Sequence, residues 1–313
     1  NQITGRPCLG SWASYGLGSL NQNLPSFVVL VARPTNTEQV QAISARLWSS
    51  GYLPGEYAGV SFRSGGDPIL YINNPSGVPA EVRRKTLDGL QALNQRTLEQ
   101  IGDPETRTRI AQYEMAYRMQ SSVPDLANIA GEPESTFALY GEEAKKPGSF
   151  ANTVLMARRL VERGVRFVTV NMFETVFDEV TWDIHGSRPF TDITEMARLV
   201  APSFDQGYSA LLEDLHQRGM LSRTMVAAMG EFGRTPKINP AGGRDHHPGV
   251  WSILMAGSTI QPGRVVGASD ELGYAPKTRP ANPQEVIATI YKALGIPIHH
   301  ELAGPQGRPV PIT

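Results

Sequence analysis

Hydrophobic positions in this chain follow two periodicities, one typical of strands and one typical of helices. Short, nearly continuous apolar runs predict buried strands. They occupy residues 25–31, 165–172, 224–229 and 250–256. Apolar residues at helical spacing, with capping residues at the ends, predict helices over 149–163, 193–218 and 282–294. Strands that alternate with helices over short connections indicate an α/β fold with a mostly parallel sheet covered by helices.

The first half of the chain is less regular. Residues 1–24 are rich in Gly, Ser and Asn, which predicts an extended segment, and residues 36–80 have no clear periodicity. Residues 131–148 are polar and punctuated by Pro and Gly, which predicts a linker. We therefore expect a single domain over residues 1–313, with an irregular and helical insertion at about 36–148.

Helical spacing is clearest within this insertion between about residues 80 and 130. Asp103 followed by Pro104 predicts a helix start, because Asp caps the free N–H groups and Pro fits the first turn. We expect this helix to end near Met119, and a further short helix to begin around Val123.

Composition excludes several functional classes. The formal net charge of −1 gives no electrostatic basis for binding nucleic acid or an anionic membrane. The apolar runs are too short for a transmembrane segment, which requires about 20 residues. The single cysteine, Cys8, excludes a disulfide within the chain and a paired-cysteine metal site.

Candidate metal ligands lie in three loop-like stretches bounded by Gly or Pro. Asp183 and His185 follow the strand at 165–172, and Glu231 follows the strand at 224–229. Ligands bind beyond the carboxyl ends of strands in open α/β sheets, which is where these residues lie. Residues two apart in extended backbone point the same way, so Asp183 and His185 can face one ion. Surface or structural roles are the alternative for each.

The densest group is Asp245, His246 and His247. Adjacent residues in extended backbone point to opposite sides, so at most two of the three bind one ion directly, and the third orients them. Arg234 is a candidate for contacting an anion, and a structural salt bridge is its alternative role. Carboxylates and imidazoles without a thiolate suit a divalent metal, with Zn²⁺, Mn²⁺, iron and Ca²⁺ all open.

Several of these motifs resemble the domain-of-unknown-function 1501 family. They are Met229 to Asn239 (MGEFGRTPKIN), Gly243 to Pro248 (GRDHHP), Trp182 to Gly186 (WDIHG) and Gln306 to Pro309 (QGRP). That family is similar to the alkaline phosphatase and sulfatase superfamily. The resemblance implies a three-layer α/β/α sandwich and metal-assisted hydrolysis of phosphate or sulfate esters. It implies metal ligation by Asp183, His185, Glu231 and one of His246 or His247.

The same resemblance implies a Ser, Thr or modified-Cys nucleophile ahead of a Thr-Gly-Arg segment, which here is Thr4-Gly5-Arg6. We therefore expect the N-terminal strand and the nucleophile to precede this chain, and weak or no ester turnover from these residues alone. Family members often have a twin-arginine export signal, which implies a periplasmic or cell-envelope location. The substrate would be a small-molecule or glycan ester. A non-catalytic envelope protein that binds glycans or partners is the main alternative, and a phosphomutase is a third.

Overall fold

The computed structural model describes residues 5–33, 43–63, 68–69, 73–175, 179–303 and 308–312. Part of the predicted irregular stretch 36–80 and Gln306-Gly307 of the terminal motif lie outside the described residues. The chain forms two compact units, Asn1–Thr181 with Ala201–Leu211, and Trp182–Val200 with Leu212–Thr313. Helices and strands occur in both, which confirms a mixed α/β fold, but the predicted mostly parallel sheet is present, among the described strands, only as three strands of the first unit.

The first unit is built on a three-stranded parallel sheet. Its central strand β1 (Phe27–Val31) pairs with β2 (Val60–Phe62) on one side and β3 (Phe167–Asn171) on the other. The apolar runs predicted β1 and β3, whereas β2 is too short for its periodicity to be visible. The helices of this unit, in chain order, are α1 (Leu9–Leu17), α2 (Ala80–Ile101), α3 (Pro104–Ala127), α4 (Glu134–Tyr140) and α5 (Phe150–Glu162).

The predicted helix over 193–218 is present with one irregularity. It consists of α6 (Ile193–Glu195), a π-helical turn at Met196–Val200, and α7 (Ala201–Gln217), whose first residues belong to the first unit. Pro202 lies in the first turn of α7 and has no N–H to donate to the preceding turn. A local widening of the helix at this point is therefore expected.

The strands of the second unit pair antiparallel. The pairs are β4 (Met225–Ala228) with β7 (Leu254–Gly257), β5 (Gly233–Arg234) with β6 (His246–His247), β8 (Ala268–Ser269) with β9 (Pro276–Thr278), and β10 (Glu301–Ala303) with β11 (Pro309–Pro311). The last helix is α8 (Pro283–Ala293), capped by Asn282 as predicted. Parallel pairing is thus confined, among the described strands, to the first unit. No helix in the described ranges has the length and apolar character needed to cross a bilayer.

The extended segment predicted for residues 1–24 is wrong, because Leu9–Leu17 forms α1. The small residues that suggested a loop are used for packing instead. Gly10 lies against the Phe27 ring of β1, and a Cβ at Gly10 would come within 2.5 Å of that ring. Small side chains on one face therefore let the helix approach the sheet closely.

The predicted break between Met119 and Val123 is also wrong, because α3 continues through Pro124 to Ala127. Val123 and Leu126 are fully buried in the core. Their burial stabilises the last turn of α3 more than the hydrogen bond lost at Pro124 destabilises it.

The predicted linker at 131–148 contains α4 and a 3₁₀ turn at Glu142–Lys145. Phe137 and Tyr140 of α4 are buried in a second core cluster with Leu155 of α5. Two aromatic residues in an otherwise polar stretch were the sequence signal for this packing.

A buried ionic cluster joins the end of α3 to α5. The carboxylate of Glu132 accepts hydrogen bonds from Arg158, at 2.5 Å, and from Arg159, and none of the three side chains is more than 8% exposed. Arg159 also donates to the carbonyls of Leu126 and Asn128 at the end of α3. Burial raises the pKa of Glu132, but the two guanidinium groups together lower it by more than burial raises it, so the pKa lies below its usual value.

We expect Glu132→Gln to destabilise the protein by about 3–5 kcal/mol at neutral pH, because it removes the buried carboxylate that Arg158 and Arg159 share. Arg158 keeps its ion pair with Glu162, whereas Arg159 keeps, within the described ranges, only hydrogen bonds to backbone carbonyls. Urea denaturation measures this change. Glu134→Gln is the matched control, since the Glu134 side chain is 84% exposed and its ion pair, among the described residues, is with the exposed Lys145. Its effect should stay within about 1 kcal/mol.

The contribution of Glu132 should also depend on pH. The pKa of the Glu132 carboxyl is lower in the folded protein than in the unfolded chain, so its stabilisation of the fold is complete above the unfolded pKa of about 4.3. This stabilisation is lost as the pH falls through the lower pKa of the folded protein. The difference in stability between wild type and Glu132→Gln should therefore narrow in acid. If the difference in stability between the two proteins stays the same at low pH, the ionised Glu132 carboxylate is not its cause.

Candidate metal centre

Three predicted ligands converge in the second unit. One potential ligand atom each of Asp183, His185 and His246 lie within 4.8 Å of one another. Asp183 and His185 are partly buried and His246 is exposed. No other group of three His, Cys, Asp or Glu side chains is as close among the described residues. The group offers one carboxylate and two imidazoles.

Asp183 and His185 point the same way, as their spacing predicts. Oδ1 of Asp183 is hydrogen-bonded to Nδ1 of His185. The residue between them, Ile184, points away and is buried at 5% exposure. This apolar side chain anchors the loop from behind while its two neighbours face the site.

Strand β6 separates the two adjacent histidines. His246 lies opposite Arg234 of β5, and its ring centroid is 4.7 Å from that of His185. His247 points to the other side, where its Nε2 lies 2.8 Å from the carbonyl oxygen of Tyr274. The strand therefore places His246 with Asp183 and directs His247 away from them.

The turn that receives His247 is held by Asp270. Its carboxylate accepts hydrogen bonds from the backbone N–H groups of Tyr274, Leu272 and Ala275. These bonds, that from Tyr274 above all, hold the pKa of Asp270 below its usual value. His247 is thus bound to an ordered turn.

Asp245 and Glu231 lie outside the donor group. The side chain of Asp245 accepts a hydrogen bond from Nδ2 of Asn239 at 3.1 Å. Glu231 is exposed in the loop between β4 and β5. Asp245 thus contacts a residue that supports the site, while Glu231 is not brought to the three donors.

Arg234 is bound to the Asp183 loop. Its Nη2 donates to the carbonyl of Trp182 at 3.2 Å and forms an ion pair with Asp183 at 3.3 Å. Its Nη1 donates to the carbonyl of Arg244. Of the two roles expected for Arg234, the structural salt bridge is present, and its partner is Asp183.

Asn239 is a supporting residue that the sequence analysis did not identify. Its Oδ1 accepts from the backbone N–H groups of Ala241 and Gly243, both at 3.0 Å. Its Nδ2 donates to the carbonyl of His185 and to Asp245, both at 3.1 Å. One amide thus joins the loop of the first two ligands to the loop that leads to His246. The signal was an Asn opening a Gly-rich turn, where such side chains replace backbone hydrogen bonds.

The two loops also touch backbone to backbone. A Cβ at Gly243 would lie 2.3 Å from the carbonyl oxygen of Ile184, and one at Gly186 would lie 2.5 Å from that of Ala241. The N–H of Arg244 donates to the same Ile184 carbonyl at 2.6 Å. Glycine at both positions is therefore needed for this contact.

Aromatic rings flank the two imidazoles. Phe190 lies 5.0 Å from His185 and Phe232 lies 4.2 Å from His246, measured between ring centroids. Each histidine is thus held against an apolar face, which limits the orientations its ring can adopt.

Comparison with known proteins gives a family without an assigned activity. The family described as "Protein of unknown function (DUF1501)" matches residues 1–313. No curated protein and no solved structure matches the chain.

We expect Gly243→Ala to destabilise the protein by about 1–3 kcal/mol, because its methyl group would force apart two contacting backbones. Chemical denaturation tests this. Gly230→Ala is the control, since a Cβ there would meet only the carbonyl of Phe232 at 3.7 Å. Equal stability of the two variants would show that the loops separate without cost.

Proposed function

The chain belongs to the DUF1501 family, and from this premise we propose that it is a metal-dependent hydrolase of phosphate or sulfate esters. The observation that carries the proposal is the convergence of Asp183, His185 and His246. The resemblance to the alkaline phosphatase superfamily extends the proposal to a three-layer α/β/α sandwich and to a periplasmic or cell-envelope location. The parallel sheet of the first unit supports the α/β part of it.

The donor set fits a borderline divalent metal. One carboxylate oxygen and two imidazole nitrogens suit Zn²⁺, Mn²⁺ or iron, whereas Ca²⁺ prefers oxygen donors alone. Three protein ligands with one open position is the arrangement of catalytic zinc sites. Asn239 supports this set from outside, through the carbonyl of His185.

A divalent ion at these donors would supply Lewis-acid polarisation of a phosphoryl or sulfuryl oxygen. The chain's own residues would bind and orient the ester. Arg234 lies beside Asp183 and has further N–H donors for an anionic oxygen, since a guanidinium carries five. The exposed edge of His246 leaves the site open to solvent and therefore to a substrate.

We expect His246→Ala to lose stoichiometric Zn²⁺ or Mn²⁺, because it removes one of three ligands. Metal content after dialysis and titration calorimetry measure the loss. Asn239→Ala should weaken binding about 10–100-fold, which is the usual cost of removing an outer hydrogen-bond partner.

His247→Ala is the matched control for this experiment. It removes an adjacent imidazole that faces Tyr274 rather than the three donors, so metal affinity should be unchanged. Circular dichroism confirms that each variant is folded. Equal metal binding by the His246 and His247 variants would rule out the site.

The ester specificity is tested by anion binding to the metal-loaded chain. We expect inorganic phosphate or sulfate to bind only when metal is present, and less tightly to Arg234→Lys, because lysine cannot bind an oxyanion through two parallel donors. Hydrolysis of aryl phosphate and aryl sulfate esters is assayed with the whole encoded polypeptide. Bound metal with neither anion binding nor hydrolysis would favour a non-catalytic binding role instead.

A further inference from the structure

An exposed leucine lies beside basic residues at the amino end of the parallel sheet. Leu20 belongs to the loop of residues 17–24, which leads from α1 towards β1, and is 71% exposed. A Cβ at Gly164 would lie 3.5 Å from Leu20, so the two residues are in contact. Gly164 follows α5 and stands between Arg163 and Arg166, the last of which directly precedes β3. The fold therefore places Leu20 next to this basic segment.

Arginines also hold both ends of the loop. Arg166 donates from Nε to the carbonyl of Gly18 at 3.0 Å and from Nη2 to that of Leu17 at 3.2 Å. Arg118 of α3 donates from Nη1 to the carbonyl of Gln22 at 3.3 Å. A guanidinium carries five N–H groups, and these contacts use one of Arg118 and two of Arg166. Both side chains therefore keep donors for an anion.

The loop is ordered by contacts that do not involve the side chain of Leu20. Oδ1 of Asn21 accepts from the N–H groups of Asn23 and Leu24, and its Nδ2 donates to the carbonyl of Arg163. Leu24 is fully buried and anchors the loop in the core. The fold thus gains little from a leucine at position 20, which an ordered loop presents to solvent.

The surface around Leu20 carries an excess of positive charge. Arg118, Arg163 and Arg166 contribute three charges, and no residue of the loop 17–24 is ionisable. Glu162 lies 4.0 Å from Arg163 and contributes one negative charge. Three cations and one anion leave a local excess of two positive charges.

The carboxylates closest in sequence to these arginines have other partners. Glu162 forms its shorter ion pair with the buried Arg158, at 2.6 Å. Glu114, one turn before Arg118 on α3, is paired with Arg84 at 2.6 Å. Neither carboxylate is therefore dedicated to the cations around Leu20.

An apolar side chain among guanidinium groups matches the surface of an anionic bilayer. Lipid phosphates accept from arginine, and the boundary of the acyl chains takes the leucine. Nucleic acid and soluble phosphates offer the anion without an apolar layer. The formal charge of the whole chain, −1, gives no basis for this binding. The local excess does, because salt screens exposed charges that lie more than about 10 Å away.

We propose that the surface formed by Leu20, Arg118, Arg163 and Arg166 binds the headgroup region of an anionic lipid bilayer. Two net positive charges should favour anionic over neutral membranes by about 30-fold. One leucine and a few charges give reversible attachment. The surface belongs to the first unit and its binding does not require the metal centre, so His246→Ala protein should bind as wild type does.

Co-sedimentation of the full chain with vesicles tests the proposal. We expect binding to vesicles of phosphatidylglycerol and phosphatidylcholine in equal parts, and about 30-fold weaker binding to phosphatidylcholine alone. Binding should be lost at about 1 M salt, where the screening length falls to about 3 Å. A chain that ignores the anionic vesicles, or binds both kinds equally, overturns the proposal.

A substitution of the leucine tests the apolar contact. Leu20→Ser should weaken binding to the anionic vesicles about tenfold, because the inserted side chain is lost. Leu272→Ser is the matched control, since Leu272 is 72% exposed but is preceded by Asp270 and Glu271, which an anionic surface repels. Its binding should equal that of wild type. If Leu20→Ser also binds as wild type does, the leucine is not inserted and the proposal is wrong.

Substitutions of an arginine test the charge. Arg118→Gln should weaken binding about fivefold, whereas Arg118→Lys should retain it, because attraction to the membrane follows charge. Arg96→Gln is the control, since it removes the same charge from an exposed position on α2. An equal loss in Arg118→Gln and Arg96→Gln would show that net charge, and not this surface, determines binding. Circular dichroism confirms that each variant is folded.

A fluorescent label distinguishes a bilayer from other anionic partners. In a Cys8→Ser background, an environment-sensitive dye on Leu20→Cys should shift to the blue with anionic vesicles, and the same dye on Leu272→Cys should not. Polyglutamate and glycerol phosphate are the other two additions. A shift with either of them and none with vesicles would identify an acidic protein or a soluble phosphate as the partner and refute lipid binding.

Discussion

The candidate metal centre depends on one close contact, the approach of two backbones at Gly186 and Gly243. Neither position accepts a Cβ, and hydrogen bonds to the Ile184 carbonyl and from Asn239 hold the loops at this distance. Asp183 and His185 belong to one loop and His246 follows the other. The distance between the candidate ligands is therefore set by main chain against main chain, with the Asn239 amide as a side-chain link between the loops.

Sequence periodicity predicted the elements whose burial is one-sided and whose ends are capped. Strands β1, β3 and β4 and helices α2, α5 and α8 are present where apolar spacing and capping residues indicate them. Helices α1 and α4 were missed because small residues in one and polar residues in the other resemble loops. Their stability comes from contacts with distant parts of the chain, such as Gly10 with Phe27, and a local pattern does not contain these contacts.

Those features of the site that depend on residues adjacent in sequence could be predicted. The two-residue spacing gave the common direction of Asp183 and His185, and adjacency gave the opposite directions of His246 and His247. Which histidine faces the ligands depends on how β6 pairs with β5, and this pairing is not local. Asn239 was missed for a related reason, since its value lies in joining residues from two separate loops.

Strand β6 has a consequence for insertions and deletions near the site. Gly233 opposes His247, and a Cβ at Gly233 would lie 2.1 Å from the carbonyl oxygen of Val250, so a neighbouring residue cannot replace it there. The register of β6 is thereby fixed. A one-residue insertion or deletion between His247 and Val250 would break this match and exchange the His246 imidazole for the one that faces Tyr274, while both histidines stay in the sequence. In an alignment of relatives, the spacing from the two histidines to the position of Val250 is therefore a stricter marker of the three-donor arrangement than the presence of two histidines.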